Sequence, residues 1–333
     1  MGTILGIESS CDETSAAVCH NGKVINNIIA TQSIHEQFGG VVPELASRAH
    51  QRNIIPVVYE ALNTAKINAS DLDGIAYTQG PGLLGALLVG SSFAKAMAFA
   101  LDVPIISVNH MMAHVLAHFI DDPAPKFPFL CLTISGGHTQ IVKVASHQEM
   151  SVIGQTRDDA AGEAFDKGAK LLGLPYPGGP MIDKHAKAGD PVRFKFAESD
   201  MPELDYSFSG IKTSLLYFLR DQLKTNGQFI EQNLDDLCAS YQQTIINMLI
   251  KKLKKAVKET GIKEIAIAGG VSANQGLQQQ LKIEAEGNNW QLYIPKLEYC
   301  TDNAAMIAIS GYYKYIGGKF DSLRESPLPR MSF

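Results

Sequence analysis

The sequence predicts an α/β protein built from two similar halves, and a repeated pattern carries this prediction. Residues 3–19 read as a buried strand, a polar turn and a second strand, and residues 127–144 repeat that order. Apolar segments with helical periodicity follow each copy. A duplicated strand–turn–strand unit that leads into helices is typical of a fold in two halves, whose polar turns we expect to face each other across a cleft.

The composition is that of a globular protein. The 333 residues are 45% hydrophobic, which is enough for a sizeable core and favours two domains. No uninterrupted apolar run approaches the roughly 20 residues of a membrane span, and no signal region precedes the first strand, so we expect a cytoplasmic protein without a membrane partner. The five cysteines are scattered, which argues against disulfides and zinc ribbons. A net charge of −5 means that nucleic-acid binding needs a local basic patch or a partner.

Local signals place the elements of the first half. Asn21-Gly22 is a strong hairpin signal and predicts an antiparallel strand over 23–30. The glycine-rich turn at 79–85 opens an apolar helix, and it suits either an anion or close packing of backbone. The other predicted elements are a helix at 40–66, a strand at 73–78, a helix at 86–101 and a strand at 103–108.

Two histidines follow the strand at 103–108. If the stretch after Asn109 is helical, His110 and His114 lie one turn apart on the same face, with Cβ atoms about 6 Å apart. That spacing lets both rings bind one cation, although histidines at this spacing are also common as ordinary polar residues. Far along the chain, Asp302 precedes a predicted helix at 304–316. It is either a helix cap or a carboxylate ligand that completes a two-His, one-carboxylate site.

The second half begins after a linker at 121–126 and contains two glycine turns. Ser135–His138 can wrap a phosphate or a carbonyl with main-chain N–H groups, or can be a simple hairpin turn. A strand at 264–268 ends in Gly269-Gly270, which suits a nucleotide. The other predicted elements are a strand at 150–155, a helix at 158–172 capped by Asp158 or Asp159, a Pro/Gly loop at 175–180, a loop at 206–213, a helix at 233–259 with a basic run at 251–255, and a strand at 292–294.

Nine motifs spread over nearly the whole chain resemble one known family. The chain is similar to the tRNA N6-adenosine threonylcarbamoyltransferases, long described as O-sialoglycoprotein endopeptidases. The resemblance implies an actin-like ATPase fold with two ribonuclease-H-like halves, at 1–125 and 126–300, and a C-terminal helix at 301–333 that returns to the first half. The motifs are GIESSCDET, GPGLLGALLVG, NHMMAH, SGGHT, DDAAGEAFDK, YPGGP, SFSGIKT, GGVSAN and CTDNAAM.

The resemblance also implies a reaction and a site. The threonylcarbamoyl group of threonylcarbamoyl-AMP passes to the N6 amine of the adenosine 3′ of the anticodon, in tRNAs that read codons beginning with A, and AMP leaves. His110, His114 and Asp302 would bind iron or zinc, and ATP or ADP would fit the same cleft. Asp12 or Glu13 is the candidate for accepting a proton or orienting the amine. Substrate contacts would be Ile134, Ser135, Gly136, Gly137, His138, Asp166, Gly179, Asp183 and Asn274.

The implied partners are tRNA, an inactive paralogue of the same fold and a small P-loop ATPase, while a separate synthase makes the donor. Ala304 and Tyr206 depart from the commonest family residues without removing a ligand.

Three other functions are weighed against this one. A metallopeptidase of the zincin type needs Glu directly after the first histidine, where this chain has Met111. A sugar-kinase-like or chaperone-like ATPase has no use for the histidine pair, and a scaffold has no need of the metal ligands.

Overall fold

The computed structural model describes residues 1–32, 35, 38 and 40–333, which divide into two compact units. Unit 1 combines Met1–Pro125, Ala145–Met150 and Pro295–Phe333, and unit 2 combines Lys126–Val144 and Ser151–Ile294. The last described segment of the chain therefore belongs to the same unit as the first strand. Each unit contains one β-sheet with its own buried core.

Eleven strands are assigned in the described part of the chain, and their positions follow the predicted pattern closely. The Asn21-Gly22 hairpin is present, with both residues at positive φ (53° and 81°) as a two-residue turn requires. The antiparallel strand predicted over 23–30 is split into two short strands, which both pair with β2. The strands are β1 (Thr3–Glu8), β2 (Glu13–His20), β3 (Lys23–Val24), β4 (Ile28–Thr31), β5 (Gly74–Gly80), β6 (Ile105–Asn109), β7 (Phe129–Ile134), β8 (Thr139–Ser146), β9 (Glu149–Gln155), β10 (Glu264–Ala268) and β11 (Gln291–Tyr293).

The two sheets have the same plan. In unit 1, β1 pairs antiparallel with β2 and parallel with β5, which pairs parallel with β6. In the second sheet, β7 pairs antiparallel with β8 and parallel with β10, which pairs parallel with β11. The strand–turn–strand repeat read from the sequence is therefore a repeat of sheet topology, which confirms the prediction of a duplicated α/β fold.

The predicted helices lie close to their expected positions, but a helix begins at Gly178, inside the predicted Pro/Gly loop at 175–180. The predicted cap of the helix over 158–172 is wrong: Asp158 accepts hydrogen bonds from Phe208 N and Ser209 N instead, and so holds the start of the helix Ser209–Leu223. The helices are α1 (Pro43–Ala65), α2 (Leu84–Leu101), α3 (His110–Leu116), α4 (Ala161–Leu171), α5 (Gly178–Ala186), α6 (Ser209–Leu223), α7 (Phe229–Gln232), α8 (Leu234–Thr260), α9 (Gln275–Asn288), α10 (Leu297–Cys300) and α11 (Ala304–Ile316).

Helix α2 is long and apolar enough to cross a membrane by length and composition, with a mean hydropathy of 1.6 over its 18 residues. It packs against β5 and α1, and a line of small residues, including Ala86, Ala94 and Ala98, is buried. A core helix that covers a sheet also has this composition. Packing in unit 1 accounts for the small buried residues of α2, whereas its large apolar residues Leu84, Leu88 and Phe99 are exposed.

Helix α11 packs on β1 at very short range. A Cβ atom added to Gly6 would lie 2.5 Å from the backbone N of Ala308 and 2.7 Å from the carbonyl oxygen of Ala304. A Cβ added to Gly311 of α11 would lie 2.3 Å from Cβ of Ala76, which is on the neighbouring strand β5. The small residues on both faces therefore let the helix backbone approach the sheet directly, and α11 also contacts α3.

Candidate metal centre and substrate loops

Helix α3 presents two histidines from its first turns. It begins at His110 because the Asn109 side chain accepts hydrogen bonds from the N–H groups of Met111 (2.9 Å) and Met112 (3.1 Å). The Asn109 amide in turn donates to the carbonyl of Ser332. The rings of His110 and His114 lie one helical turn apart, with centroids separated by 4.8 Å and planes at 90°.

Asp302 completes a cluster with these rings. Its Oδ1 lies 3.2 Å from Nε2 of His110 and 3.1 Å from Nε2 of His114. Asp302 is not the cap of α11, because the Asn303 side chain accepts from Met306 N at 3.0 Å and takes that role. Both histidines are buried, and the Asp302 side chain retains 23% exposure. Of the two roles left open for Asp302, the structure places it in the cluster.

The cluster fits a divalent cation. The three ligand atoms lie within 4.8 Å of one another, and both histidines direct the same ring nitrogen toward the carboxylate. Two imidazoles and one carboxylate are ligands for zinc and for non-haem iron, in sites that leave positions open for a substrate. In the described part of the chain, Nδ1 of His114 has no hydrogen-bond partner, so Nε2 is the ring nitrogen that faces the proposed cation.

A second carboxylate, that of Glu8, lies behind this cluster, and the sequence alone assigned it no role. Glu8 Oε2 lies 3.1 Å from Nδ1 of His110, on the opposite side of the ring from Asp302. In the sequence, Glu8 is an acidic residue at the last position of a mostly apolar, buried strand. A buried charge is costly without a partner, so this position could have indicated a paired carboxylate. His110 therefore lies between two carboxylates.

Charge controls the protonation of these groups. Burial alone would lower the pKa of His110, but Asp302 and Glu8 together raise it well above its usual value. Burial would likewise raise the pKa of both carboxylates, yet His110 lowers the pKa of Glu8 and of Asp302. Without a metal ion, His110 is therefore a cation held between two anions.

The turn that carries Asp12 and Glu13 lies in the same unit. Burial, Asp302 and Asp12 raise the pKa of Glu13 to about 9, so Glu13 is protonated at neutral pH when no cation is bound. His50 on α1 holds this turn, because Nε2 lies 3.0 Å from the carbonyl of Cys11 and Nδ1 lies 2.8 Å from the Thr14 hydroxyl. Burial lowers the pKa of His50, which therefore acts as a neutral hydrogen-bonding group.

The glycine-rich turn after β5 serves close packing. A Cβ on Gly80 would lie 1.9 Å from the carbonyl oxygen of Leu328, and one on Gly82 would lie 2.6 Å from that of Ser10. Gly82 N also donates to the carbonyl of Pro329. Of the two roles left open for this turn, the structure shows the packing role.

In unit 2, the predicted turn Ser135–His138 joins β7 to β8. Ser135 N donates to the carbonyl of His138 at 2.8 Å, which closes the turn. Gly136 and Gly137 at its tip are exposed, and a Cβ on either would meet open space. At the base of the turn, the carbonyl oxygen of Ile134 lies 2.5 Å from the position of a Cβ on Gly269. The two glycine motifs of this half are therefore adjacent.

The other predicted contact residues of unit 2 hold its loops. Asp166 Oδ1 accepts from Gly178 N at 2.8 Å, next to Gly179, and burial raises its pKa. Asp183 accepts from Gln275 N (3.2 Å) and Gly276 N (3.3 Å) at the start of α9. Asn274 caps the same helix through Leu277 N, and its amide donates to Gln242 at 2.6 Å. Gln242 was not predicted, because a glutamine within a long amphipathic helix carries no distinctive signal.

Known proteins resemble this chain over almost its whole length. The family model for tRNA N6-adenosine threonylcarbamoyltransferase matches residues 23–309. The enzyme of that name from Christiangramia forsetii is 59% identical, over 99% of this chain and 98% of the relative. The one from Porphyromonas gingivalis is 56% identical, also over 99% and 98%.

Two solved structures share the fold. Full-length HypF in its phosphate- and nucleotide-bound form matches with a TM-score of 0.65 and 14% identity, over 96% of this chain and 47% of HypF, so the chain spans about half of that protein. An activator of 2-hydroxyisocaproyl-CoA dehydratase from Clostridium difficile, with bound ADPNP, matches with a TM-score of 0.51 and 13% identity, over 95% and 97%. These likenesses, together with the duplicated sheet plan, confirm the predicted actin-like ATPase fold.

Proposed function

The chain belongs to the tRNA N6-adenosine threonylcarbamoyltransferase family, and on that premise we propose that it transfers the threonylcarbamoyl group from threonylcarbamoyl-AMP to tRNA. The acceptor is the N6 amine of the adenosine 3′ of the anticodon, in tRNAs that read codons beginning with A. The observation that carries the proposal is the His110–His114–Asp302 cluster, which has Met111 where a peptidase of the zincin type needs a glutamate base. The cluster is therefore suited to holding a substrate group more than to activating water.

The reaction forms one bond and breaks another. The N6 nitrogen bonds to the carbamoyl carbon, the bond from that carbon to a phosphate oxygen of AMP breaks, and AMP keeps the electron pair while N6 loses a proton. An exocyclic aromatic amine is a weak nucleophile, so positioning and charge neutralisation are the main contributions that the protein can make. In unit 2, the exposed N–H groups of Gly136 and Gly137 support binding of the donor, or of ATP or ADP, through phosphate.

His110, His114 and Asp302 would hold the metal, which we propose to be iron(II) or zinc. When bound, the ion would supply positive charge that offsets negative charge on the carbonyl oxygen, the phosphate or the carboxylate of the donor. Glu8 Oε2 lies 3.1 Å from Nδ1 of His110. The turn that carries Asp12 and Glu13 lies near Asp302, because Asp302 contributes to the raised pKa of Glu13.

Metal binding is expected to release about one proton per ion at neutral pH, and the affinity is expected to rise about tenfold per pH unit. His110 has a raised pKa in the metal-free protein, so its Nε2 carries a proton that must leave before the ion binds. The affinity therefore falls as the pH falls below that pKa. Titration calorimetry with zinc in buffers of different ionisation enthalpy measures the proton directly. Equal heats in all buffers would contradict this protonation state.

Removing the residue that accepts the N6 proton is expected to lower the transfer rate by roughly 10²-fold or more. Asp12 and Glu13 are the two candidates. Asp302 contributes to the raised pKa of Glu13, and a cation held by Asp302 would offset that contribution, so both residues are tested. Either Asp12→Asn or Glu13→Gln should show the loss. Single-turnover transfer with bound donor measures both. A double variant, Asp12→Asn with Glu13→Gln, that transfers at the parental rate would remove both residues from the mechanism.

We propose that tRNA binding depends on partners in the cytoplasm, namely an inactive paralogue of the same fold and a small P-loop ATPase. The basic run on α8 is largely neutralised: Lys251, Lys254 and Lys255 each pair with a carboxylate, at 3.0, 2.8 and 3.4 Å. It therefore offers tRNA little free charge, in a chain whose net charge is −5.

The helices α1 and α2, which pack together, offer a surface for a protein partner. Large apolar side chains on both helices are 45% to 76% exposed. Exposed apolar groups of this size are typical of an interaction surface. They are Ile55, Tyr59, Leu84, Leu88 and Phe99.

Reconstitution tests the proposed function. The chain, its expected partners and the donor synthase are incubated with unmodified tRNA, threonine, bicarbonate and ATP, and the digested tRNA is analysed by mass spectrometry. We expect threonylcarbamoyladenosine, at a level that depends on this chain. No product from folded components would refute the proposal. Zinc-dependent proteolysis by the purified chain, lost in His110→Ala, would favour the peptidase.

A further inference from the structure

Glu8 is a fully buried carboxylate that accepts two hydrogen bonds in addition to its contact with His110. It ends β1 and has 0% exposure. Its Oε1 accepts from Ser10 N and its Oε2 from the Thr78 hydroxyl, each at 2.5 Å. Ser10 lies in the turn after β1 and Thr78 lies on the adjacent strand β5, so both donors belong to two neighbouring interior strands of the sheet or to the turn that follows them. The position of the carboxylate is therefore set by the sheet.

The contact from Glu8 to His110 selects one state of the ring. A carboxylate can only accept a hydrogen bond from Nδ1, so Nδ1 carries the proton and a neutral ring has its lone pair on Nε2. Nε2 is the atom that lies 3.2 Å from Asp302, on the side of His114. The tautomer and the ring rotation that Glu8 favours are therefore the ones that coordination requires.

We propose that Glu8 is a positioning residue of the metal centre, which accepts the Nδ1–H of His110 and thereby directs Nε2 toward the ion. The inference rests on the proposed metal-dependent function, but it concerns metal affinity and can be tested without tRNA. Carboxylates behind metal-bound histidines fix the ring and increase its basicity, and losing one typically costs 10- to 100-fold in affinity.

Ser10 is the competing partner for the same ring nitrogen. Its hydroxyl oxygen lies 3.2 Å from Nδ1 of His110, close to the 3.1 Å of Glu8. A carboxylate forms the stronger, charge-assisted bond, whereas a serine hydroxyl rotates and can also donate. His114 gives no second support, because its Nδ1 has no hydrogen-bond partner among the described residues. Among the described residues, Glu8 therefore supports the ring of His110 and not that of His114.

The test compares Glu8→Gln with Ser10→Ala. Competition with a chromophoric chelator measures zinc affinity, and the visible absorption of the cobalt(II)-loaded protein reports ligand geometry. We expect Glu8→Gln to bind zinc roughly 10- to 100-fold more weakly and to change the cobalt spectrum. Ser10→Ala should lose less than about threefold and keep the parental spectrum. Parental affinity and spectrum in folded Glu8→Gln, or a larger loss in Ser10→Ala, would overturn the proposal.

A second measurement covers the case in which Glu8→Gln does not fold. Long-range nitrogen–proton NMR of the zinc-loaded parent protein identifies the protonated nitrogen of each histidine. We expect a slowly exchanging proton on Nδ1 of His110, and a proton on its Nε2 would refute the inference. The tRNA assay separates this result from the proposed function: weak zinc binding by Glu8→Gln, with no transfer by the parent protein, would refute the function and leave the role of Glu8 standing.

Discussion

Replacing His114 with alanine is expected to abolish tight metal binding and to lower the tRNA transfer rate by roughly 10³-fold. The side chain is buried, and its Nε2 lies 3.1 Å from Asp302, so alanine removes one of three converging ligand atoms. A cation is worth several kcal/mol of charge stabilisation, and each 1.4 kcal/mol is about tenfold in rate. Zinc affinity and single-turnover transfer of the same preparation measure the two effects.

His20→Ala is the matched control for this variant. His20 is exposed and lies at the end of β2 opposite to Glu13, so the substitution removes an imidazole from the same unit without touching the cluster. It should bind zinc and modify tRNA as the parent does. If His114→Ala kept parental zinc affinity, the ion would be held elsewhere and the His110–His114–Asp302 assignment would be wrong.

Gly6→Ala is expected to destabilise unit 1 by about 3 kcal/mol, because the added methyl group would overlap the backbone of α11. The nearest atoms, at 2.5 and 2.7 Å, are main-chain atoms of Ala308 and Ala304, which cannot rotate away as a side chain could. The thermal unfolding midpoint should fall by roughly 5–10 °C, and calorimetry measures it. The metal affinity should fall as well, because Asp302 lies two residues before the displaced helix.

Gly287→Ala provides the same chemical change at an unrestricted place. Gly287 is exposed near the end of α9, and a Cβ there meets nothing within 4 Å. Alanine favours the helix, so this variant should be neutral or more stable by up to about 1 kcal/mol. Equal unfolding midpoints for Gly6→Ala and Gly287→Ala would show that the sheet and α11 can move apart at little cost.

The sequence predicted most elements because their signals are local. Alternation, apolar runs and the Asn21-Gly22 turn depend on neighbours in the chain, and the predicted strands and long helices lie within a few residues of their expected places. The short helices α7 and α10 were not predicted. The same is true of the spacing of His110 and His114. The repeat of strand–turn–strand then indicated the duplicated fold, since sheet topology follows from the order of elements.

Partners distant in the chain were harder to predict. Glu8 meets His110 across 102 residues, and Thr78 meets Glu8 across 70, so neither contact leaves a periodic trace. The cap assigned to Asp158 was wrong for a related reason, because its side chain bonds residues 50 and 51 positions away. For Asp302 the sequence left two roles open, a helix cap and a carboxylate ligand, and the resemblance to a family favoured the ligand role.

The packing of α11 against β1 has a consequence for the synthesis of the protein. His114 and Asp302 are 188 residues apart, and a ribosome that adds roughly 5–20 residues per second needs roughly 10–40 seconds to travel between them. During that interval the nascent chain has both histidines and Glu8 but lacks the carboxylate ligand, and the face of β1 at Gly6 is uncovered. The full ligand set therefore exists only after the intervening unit 2 has been synthesised, so an ion held by all three ligands marks a chain that has passed Asp302.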